Sequence, residues 1–247
     1  MSGFPVSAGG VMGMRVGSSG GRVERAIWSG RVEAWHEQVT SSPVQEQMRE
    51  ALLKEASLAP DDRVVDLGAG TGFVALACAP EVDDVLCVDI TEQMLDKLRA
   101  QADGQGLSNV RVERADLAIF DFPADSVDLV VSNYALHHLA RRDKQALPVR
   151  ARSWLRPGGR IVLSDWMFGR GLTARDWRVL AGELRHRRDR GLLPVLRLAR
   201  KATAVVLGVS HDKPVSPQAW IRMLTAADFV NVHCVRTERT AGLVTAS

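Results

Sequence analysis

The residues best suited to chemistry are a carboxylate and three glycines at alternate positions. Residues 64–72 read Val-Val-Asp-Leu-Gly-Ala-Gly-Thr-Gly, and the apolar start predicts a strand that ends near Asp66 and turns through Gly68, Gly70 and Gly72. A turn without Cβ atoms allows a flat, charged ligand to lie against the main chain. The pattern therefore favours a binding site made of backbone amides and one carboxylate.

The spacing of the glycines separates two kinds of turn. A dinucleotide-binding turn reads Gly-x-Gly-x-x-Gly, and its third glycine would fall at Phe73 of this chain. The third glycine is Gly72 instead, which argues against an oxidoreductase with a nicotinamide cofactor. An ordinary glycine-rich turn is the plain alternative, so the interpretation depends on the segments that follow.

Three more predicted strands end in polar residues. The strands and the residues that follow or end them are 84–89 with Asp89, 110–113 with Asp116 and Leu117, and 127–132 with Asn133 and Tyr134. An acid about 20 residues beyond a glycine turn can accept both hydroxyls of a ribose, although Asp89 would also suit the start of the helix predicted over 92–102. Strands alternating with helices predict a parallel sheet whose carboxyl edge carries these residues.

In order and spacing, these motifs resemble those of class I S-adenosylmethionine-dependent methyltransferases, in the small-molecule, type 11-like branch that methylates quinones, lipids and natural products. The resemblance covers residues 28–165 and is carried by 66–72, 89–90, 115–117, 133–138 and 155–159. It implies an α/β fold, a doubly wound Rossmann-like sheet of seven strands with the last antiparallel. N-terminal helices and a helical insertion after strand 5 complete the expected fold.

The resemblance implies S-adenosylmethionine as the cofactor. Asp66 and the glycines would hold its methionine end, and Asp89 would hold its ribose. The residues implied in cofactor binding are Asp66, Gly68, Ala69, Gly70, Gly72, Asp89, Ile90, Met94, Asp116, Leu117 and Asn133.

Methyl transfer needs few catalytic residues, because the cofactor already carries an activated methyl group. A neutral imidazole near that group could remove a proton from the acceptor. The catalytic candidates are His137, His138 and Tyr134, with a hydrogen-bonded structural role for the histidine pair as the alternative. No metal site is expected, because no carboxylates cluster with Asn133 and the three cysteines lack metal-ligand spacing.

The N-terminal part is expected to be a disordered tail over 1–21, where seven glycines and one charge leave little material for a core. The methyltransferase domain would occupy 22–247. An amphipathic element over 28–38 precedes a capping box that starts at Ser42. Two roles remain open for this region: it could form a lid over the cofactor, or it could pack on the flank of the sheet. The candidate substrate contacts are Trp28, Trp35, His36 and Trp166.

The least generic stretch is the expected lid insertion at about 170–212. Residues 170–201 contain ten basic and three acidic residues, and the following residues to 209 are largely apolar. Peripheral membrane contact through 185–209, a lid over a greasy substrate, and a helix with a solvated basic face all remain open. Nucleic acid is disfavoured, because no aromatic residues are interleaved with the arginines. Oligomeric state cannot be read from the sequence.

Together these features predict a cytoplasmic enzyme that moves a methyl group to an O or C atom of a small hydrophobic metabolite. The odd number of cysteines favours a reducing compartment, and no run of 18 apolar residues predicts a membrane span. Three alternatives keep the same fold: a cyclase, a protein that binds the cofactor without turnover, and an RNA methyltransferase.

Overall fold

The computed structural model describes residues 19–167, 203, 212–236 and 241–247. Within these residues the α-helices are α1 (Ser19–Ser29), α2 (Val32–Thr40), α3 (Pro43–Ala56), α4 (Ala75–Cys78), α5 (Glu92–Gly104), α6 (Arg141–Trp154) and α7 (Pro217–Thr225). The strands are β1 (Arg63–Leu67), β2 (Asp84–Asp89), β3 (Val110–Arg114), β4 (Val127–Asn133), β5 (Leu155–Trp166), β6 (His233–Arg236) and β7 (Ala241–Ala246). Short 3-10 helices follow α4 and β4, at Ala79–Glu81 and Leu136–His138.

The described strands form one sheet in the order β3-β2-β1-β4-β5-β7-β6. Strand β1 pairs in parallel with β2 and β4, whereas β7 runs antiparallel to both β5 and β6. The strand order reverses between β1 and β4, which is the position where open α/β sheets bind ligands. The predicted doubly wound sheet of seven strands, with its last strand antiparallel, is confirmed.

The core has two layers, one on each face of the sheet. Successive side chains of a strand point to opposite faces, so Val65 packs in the layer closed by Trp154 of α6, while Val64 packs in the layer closed by Leu52 of α3. All four side chains are fully buried. Burying one such aliphatic side chain contributes about 1.5–3 kcal/mol, which makes these layers the rigid support of the site above them.

Two helices begin at serine caps, one of them the predicted cap at Ser42. The Ser42 hydroxyl accepts a hydrogen bond from the Gln45 N–H at 3.4 Å, and the Ser216 hydroxyl accepts one from the Ala219 N–H at 3.3 Å. Each serine precedes a proline at the first helical position, where the missing N–H costs nothing. Helix α4 has only four residues and begins at Ala75, after the glycine turn.

The N-terminal helices differ from the sequence expectation. The single element predicted over 28–38 is two helices, because α1 ends at Ser29 and α2 begins at Val32. Helix α1 begins at Ser19, so the last three residues of the predicted tail over 1–21 are helical. Gly21 is buried, and it lies against Asp116 and Ile90, which follow β3 and β2.

The predicted lid insertion at about 170–212 lies outside the described residues, apart from Thr203 and Asp212, and the basic run over 170–201 and the apolar stretch to 209 lie there with it. Residues 1–18 of the predicted tail lie outside them as well. Among the helices that are described, none combines the length and the apolar character needed to cross a bilayer.

Candidate active site

The turn after β1 follows the predicted glycine pattern. Gly68, Gly70 and Gly72 all have positive φ angles, of 77°, 54° and 88°, which residues with a Cβ rarely adopt. At Gly68 the approach is also close, because an added Cβ would lie 2.2 Å from the Cβ of Ala135. The turn therefore requires glycine for both its conformation and its contact with the segment after β4.

The carboxylate of Asp89 ties the end of β2 to this turn. Its Oδ2 accepts a hydrogen bond from the Gly70 N–H at 3.0 Å, and its Oδ1 accepts one from the Thr91 N–H at 2.8 Å. Burial raises the pKa of Asp89, and these N–H donors oppose the rise. The position predicted to meet a ribose is thus an ordered carboxylate at the mouth of the glycine turn.

Asp66, near the end of β1, has a strongly raised pKa. Burial and the nearby charge of Asp89 raise the pKa of Asp66 to about 7, against the lowering effect of the Ala75 N–H. Its Oδ2 is buried and accepts no hydrogen bond from the described residues, and the same holds for Oδ1 of Asn133 at the end of β4. Two acceptors beside the turn are therefore available to a ligand that donates hydrogen bonds.

A cavity of about 550 Å³ opens above these strand ends. The predicted site residues that line it are Asp66, Gly68, Ala69, Gly70, Asp89, Ile90, Met94, Asp116, Leu117, Asn133, Tyr134, His138, Trp28 and Trp35. The structure thus brings together most of the residues that the sequence assigned to the cofactor, and both candidate tryptophans.

Helix α1 covers the part of the cavity that the sequence assigned to the adenine. A Cβ added to Gly21 would lie 2.2 Å from Oδ2 of Asp116 and 2.8 Å from Cδ1 of Ile90. Asp116 is itself oriented by its Oδ1, which accepts a hydrogen bond from the Ala118 N–H at 2.9 Å. Gly21 lines the cavity, yet it fell within the predicted tail.

Aromatic side chains form another part of the cavity wall. The ring of Trp28 meets that of Trp35 edge-on at a centroid distance of 5.2 Å, and it meets His138 in the same way at 5.5 Å. Tyr134 also lines this part, and its φ of 53° is uncommon for a residue with a Cβ. These contacts tie α1 and α2 to the segment after β4.

His137 occupies a different position from His138. It is buried and does not line the cavity, and its Nδ1 lies 2.6 Å from Oδ1 of Asp165 on β5. The two imidazole centroids are 4.0 Å apart. Asp212 approaches both rings, with its Oδ1 3.4 Å from Nδ1 of His138 and 3.9 Å from Nε2 of His137.

Three other predicted residues also lie behind the cavity wall. An added Cβ at Gly72 would lie 2.9 Å from Leu76 and from Leu98, so this glycine serves packing under the turn. Nδ1 of His36 lies 3.1 Å from the Thr71 hydroxyl, and burial, followed by the charge of Lys97, lowers the pKa of this histidine. The ring of Trp166 stands edge-on to His137 at 6.0 Å.

Some cavity residues were missed by the sequence analysis. They are Gly21, Val23, Val39, Phe73, Val74, Thr91, Ala118, Leu139, Ala140, Arg142, Asp143 and Lys213. Thr91 directly follows the motif at 89–90, and this position next to the motif is a signal that could have identified it. Lys213 carries no local signal, since it reaches the site through a backbone N–H that donates to the His137 carbonyl at 2.7 Å.

Residues 64–159 match the family model of a methyltransferase domain. The fold, the glycine turn and this match agree, and the chain contains a methyltransferase domain similar to the class I S-adenosylmethionine-dependent methyltransferases of the type 11-like kind. S-adenosylmethionine is the cofactor that this class uses.

Two proteins illustrate the similarity. The chain is 36% identical over 114 residues to the uncharacterized methyltransferase YcgJ of Bacillus subtilis, an alignment that covers 46% of this chain and 44% of YcgJ. The YcgJ crystal structure superposes with a TM-score of 0.58 at 24% identity, over 77% of this chain and 71% of that one. The aligned part of the chain thus spans less than half of YcgJ by sequence.

The second is phosphoethanolamine N-methyltransferase 1 of Haemonchus contortus, solved with phosphoethanolamine and S-adenosylhomocysteine. It superposes with a TM-score of 0.54 at 23% identity, over 60% of this chain and 32% of that one. This likeness is one of fold.

The described residues fit the cofactor that the family uses. At Gly70 the turn lies close to helix α2, because an added Cβ would lie 3.4 Å from Nε1 of Trp35. The acceptors of Asp66 and Asn133 suit the ammonium group at one end of S-adenosylmethionine, and the apolar side chains of Ile90 and Leu117 suit its adenine at the other.

Proposed function

We propose that this protein transfers the methyl group of S-adenosylmethionine to an O or C atom of a small hydrophobic metabolite. The observation that supports this most directly is the composition of the one cavity described above. Its lining combines the acids of β1 and β2 and the glycines of the turn after β1 with the aromatic side chains of Trp28, Trp35 and Tyr134. A flat apolar acceptor packs well against such aromatic side chains.

The chain's part in the reaction is mainly positional. Bound S-adenosylmethionine supplies a methyl group already activated by its sulfonium. Asp66 and Asn133 would orient the methionine end, and Asp89 would orient the ribose. Helices α1 and α2 would exclude water from the space between the methyl group and the acceptor. Holding two reactants in line accounts for a large part of the barrier reduction in reactions of this type.

An oxygen acceptor must also lose a proton. Of the three catalytic candidates, His138 and Tyr134 line the cavity and His137 does not. We therefore assign the candidate base to His138, whose ring the edge-on contact with Trp28 orients. His137 is a positioning residue in this scheme, since its ring packs against His138 while Asp165 holds its other side.

The test is transfer of a ¹³C-labelled methyl group from S-adenosylmethionine to a fractionated cell extract. We expect label in the fraction that organic solvent extracts, and the carbon chemical shift of the product assigns an O-methyl or C-methyl group. Asp89→Ala should lose the transfer. Asp103→Ala, which removes an exposed acid from α5, should keep it. Label that enters RNA or protein, or that is independent of Asp89, contradicts the proposal.

The proposal includes a cytoplasmic location. Cys78, Cys87 and Cys234 are all free thiols, as expected for a chain kept in a reducing compartment. Burial raises the pKa of both Cys78 and Cys87, so these two are packing residues rather than nucleophiles. Fractionation of cells that carry a tagged protein at native expression tests the location, and recovery outside the cytoplasm, or with membranes after a high-salt wash that releases peripheral proteins, contradicts it.

A further inference from the structure

Beside the cavity, the structure brings together two imidazoles and one carboxylate from distant parts of the chain. His137 and His138 lie in the turn after β4, and Asp212 lies shortly before α7. One ligand atom of each residue lies within 4.8 Å of the others. Oδ1 of the Asp212 carboxylate lies 3.4 Å from Nδ1 of His138 and 3.9 Å from Nε2 of His137.

Asp165 orients His137 in the way that a supporting carboxylate orients a metal ligand. In the tautomer that donates Nδ1–H to Asp165 at 2.6 Å, Nε2 carries the lone pair and faces Asp212. Asp165 is in turn fixed, because its Oδ1 also accepts the Trp166 N–H at 2.8 Å. Metal-bound histidines nearly always have such a partner on the second ring nitrogen.

The backbone around the histidine pair is held from two sides. The Lys213 N–H donates to the His137 carbonyl at 2.7 Å, which anchors the residue next to Asp212. The buried ammonium of Lys144 donates to the same carbonyl at 3.3 Å and also to the Leu139 carbonyl. These bonds preorganise the turn and keep the lysine charge on carbonyl oxygens instead of on the ligand atoms.

We propose that His137 Nε2, His138 Nδ1 and Asp212 form a binding site for a divalent transition-metal ion of the Zn²⁺ type. Two imidazoles and a carboxylate are a ligand set that such ions prefer, with at least one position left for a non-protein ligand. Zinc–ligand bonds of about 2.1 Å place tetrahedral ligands about 3.4 Å apart. The observed separations come close to that arrangement, so small side-chain movements would complete it.

The location of the site gives it a role in the proposed methyl transfer. Because His138 lines the cavity, the open position of the metal would face an acceptor there. A metal ion would lower the pKa of an acceptor hydroxyl bound to it, so the hydroxyl would release its proton to solvent water on binding, and no free imidazole base would then be needed for methyl transfer. This consequence rests on the proposed function, whereas the metal site itself does not.

The sequence predicts no metal site, because no carboxylates cluster with Asn133 along the chain. The structure adds Asp212, which follows the long segment after β5. A hydrogen-bonded network of two histidines and two acids is the competing explanation of the same geometry. The two differ in a measurable way, since only the metal site binds a cation in a defined stoichiometry.

The experiment is equilibrium dialysis of the apo protein against Co²⁺, a spectroscopic substitute for Zn²⁺, without cofactor or acceptor. We expect one Co²⁺ per chain and visible d–d absorption typical of a four- or five-coordinate site with nitrogen ligands. Asp212→Asn and His138→Gln should each weaken binding by at least tenfold, and Asp165→Asn by about 10–100-fold. Asp103→Asn and His233→Gln, two exposed residues of α5 and β6, should bind Co²⁺ like the wild type.

Melting temperatures with and without Zn²⁺, and S-adenosylmethionine binding by calorimetry, are measured on the same samples. A folded variant that still binds the cofactor but has lost both the Co²⁺ spectrum and the Zn²⁺ stabilisation supports the site. Wild-type protein without saturable Co²⁺ binding, or Asp212→Asn binding as tightly as wild type, overturns it. Because cofactor binding is read separately, loss of the proposed function and loss of the metal site give different results.

Discussion

The carboxylate of Asp89 and the backbone of Gly70 are joined by a hydrogen bond of 3.0 Å, although they belong to different strand–turn units. The residue predicted to bind the ribose therefore also fixes the turn predicted to bind the methionine end. This hydrogen bond therefore couples the two ends of the predicted cofactor site. A change at either residue should affect both ends of the ligand.

Asp89→Ala should weaken S-adenosylmethionine binding by about 1–3 kcal/mol, because a charge-assisted acceptor for the ribose is lost together with the anchor of the turn. Asp89→Asn keeps one acceptor oxygen and should lose less. Isothermal titration calorimetry measures both, with Asp103→Ala as the matched control on the same helix–strand unit. Equal affinities of Asp89→Ala and wild type would contradict the ribose assignment.

Asp66 should make the free energy of unfolding depend on pH. The folded protein keeps the Asp66 proton up to about pH 7, whereas the unfolded chain loses it near pH 4. Between these values the folded state binds the extra proton, so this contribution to stability falls as pH rises from about 4 to 7. Its full size is on the order of a few kcal/mol.

Urea denaturation at pH 5 and pH 8 tests this. Asp66→Asn carries no titrating proton, so its loss of stability between the two pH values should be smaller than that of wild type. Comparing the two proteins at both pH values removes the contribution of all other groups. An identical pH dependence would show that Asp66 is ionised normally in the folded protein.

Gly21→Ala should weaken cofactor binding severalfold without unfolding the protein. The added Cβ would meet the Asp116 carboxylate, which must then turn away or push α1 off the adenine side of the cavity. Gly30→Ala is the control, because its added Cβ meets nothing within 4 Å at the junction of α1 and α2. Alanine favours helix over glycine by about 1 kcal/mol, so stability itself should not fall. Unchanged affinity in Gly21→Ala would mean that α1 does not cover the cofactor.

Gly68→Ala should destabilise the fold more than a glycine substitution at a comparable φ elsewhere. Gly68 and Gly106 have φ angles of 77° and 69°, but an added Cβ meets Ala135 at the first position and nothing at the second. Gly106→Ala therefore reports the conformational cost alone, about 1–2 kcal/mol. Gly68→Ala should add about 1–3 kcal/mol of overpacking.

Chemical denaturation compares the two variants, and calorimetry follows cofactor binding. Equal losses of stability would mean that the segment after β4 yields to the added methyl group. In that case the close approach at Gly68 would not be a constraint on the turn.

The sheet and its ligand edge could be predicted from the sequence because their signals are local. Strands β1, β2 and β4 are short apolar runs that end in or near a polar residue such as Asp66 or Asp89, and parallel strands leave such ends on one edge. The helix caps at Ser42 and Ser216 are equally local, since a cap depends on its own residue and the next three. The strand ends supply many of the residues that line the cavity, including Asp66 and Asp89.

The cover of the cavity and the surroundings of the histidines were decided only by long-range packing. Gly21 belongs to a glycine-rich stretch whose composition disfavours a helix. Its lack of a side chain allows α1 to approach Asp116 closely. His137 and His138 are neighbours in the chain, yet their surroundings differ. His137 contacts Asp165 of β5, whereas His138 lines the cavity. Asp212 completes their environment from beyond the segment that follows β5, and sequence spacing contains no information about that distance. Local patterns determine which backbone forms at each strand end, whereas the direction of each side chain depends on which distant element packs against it.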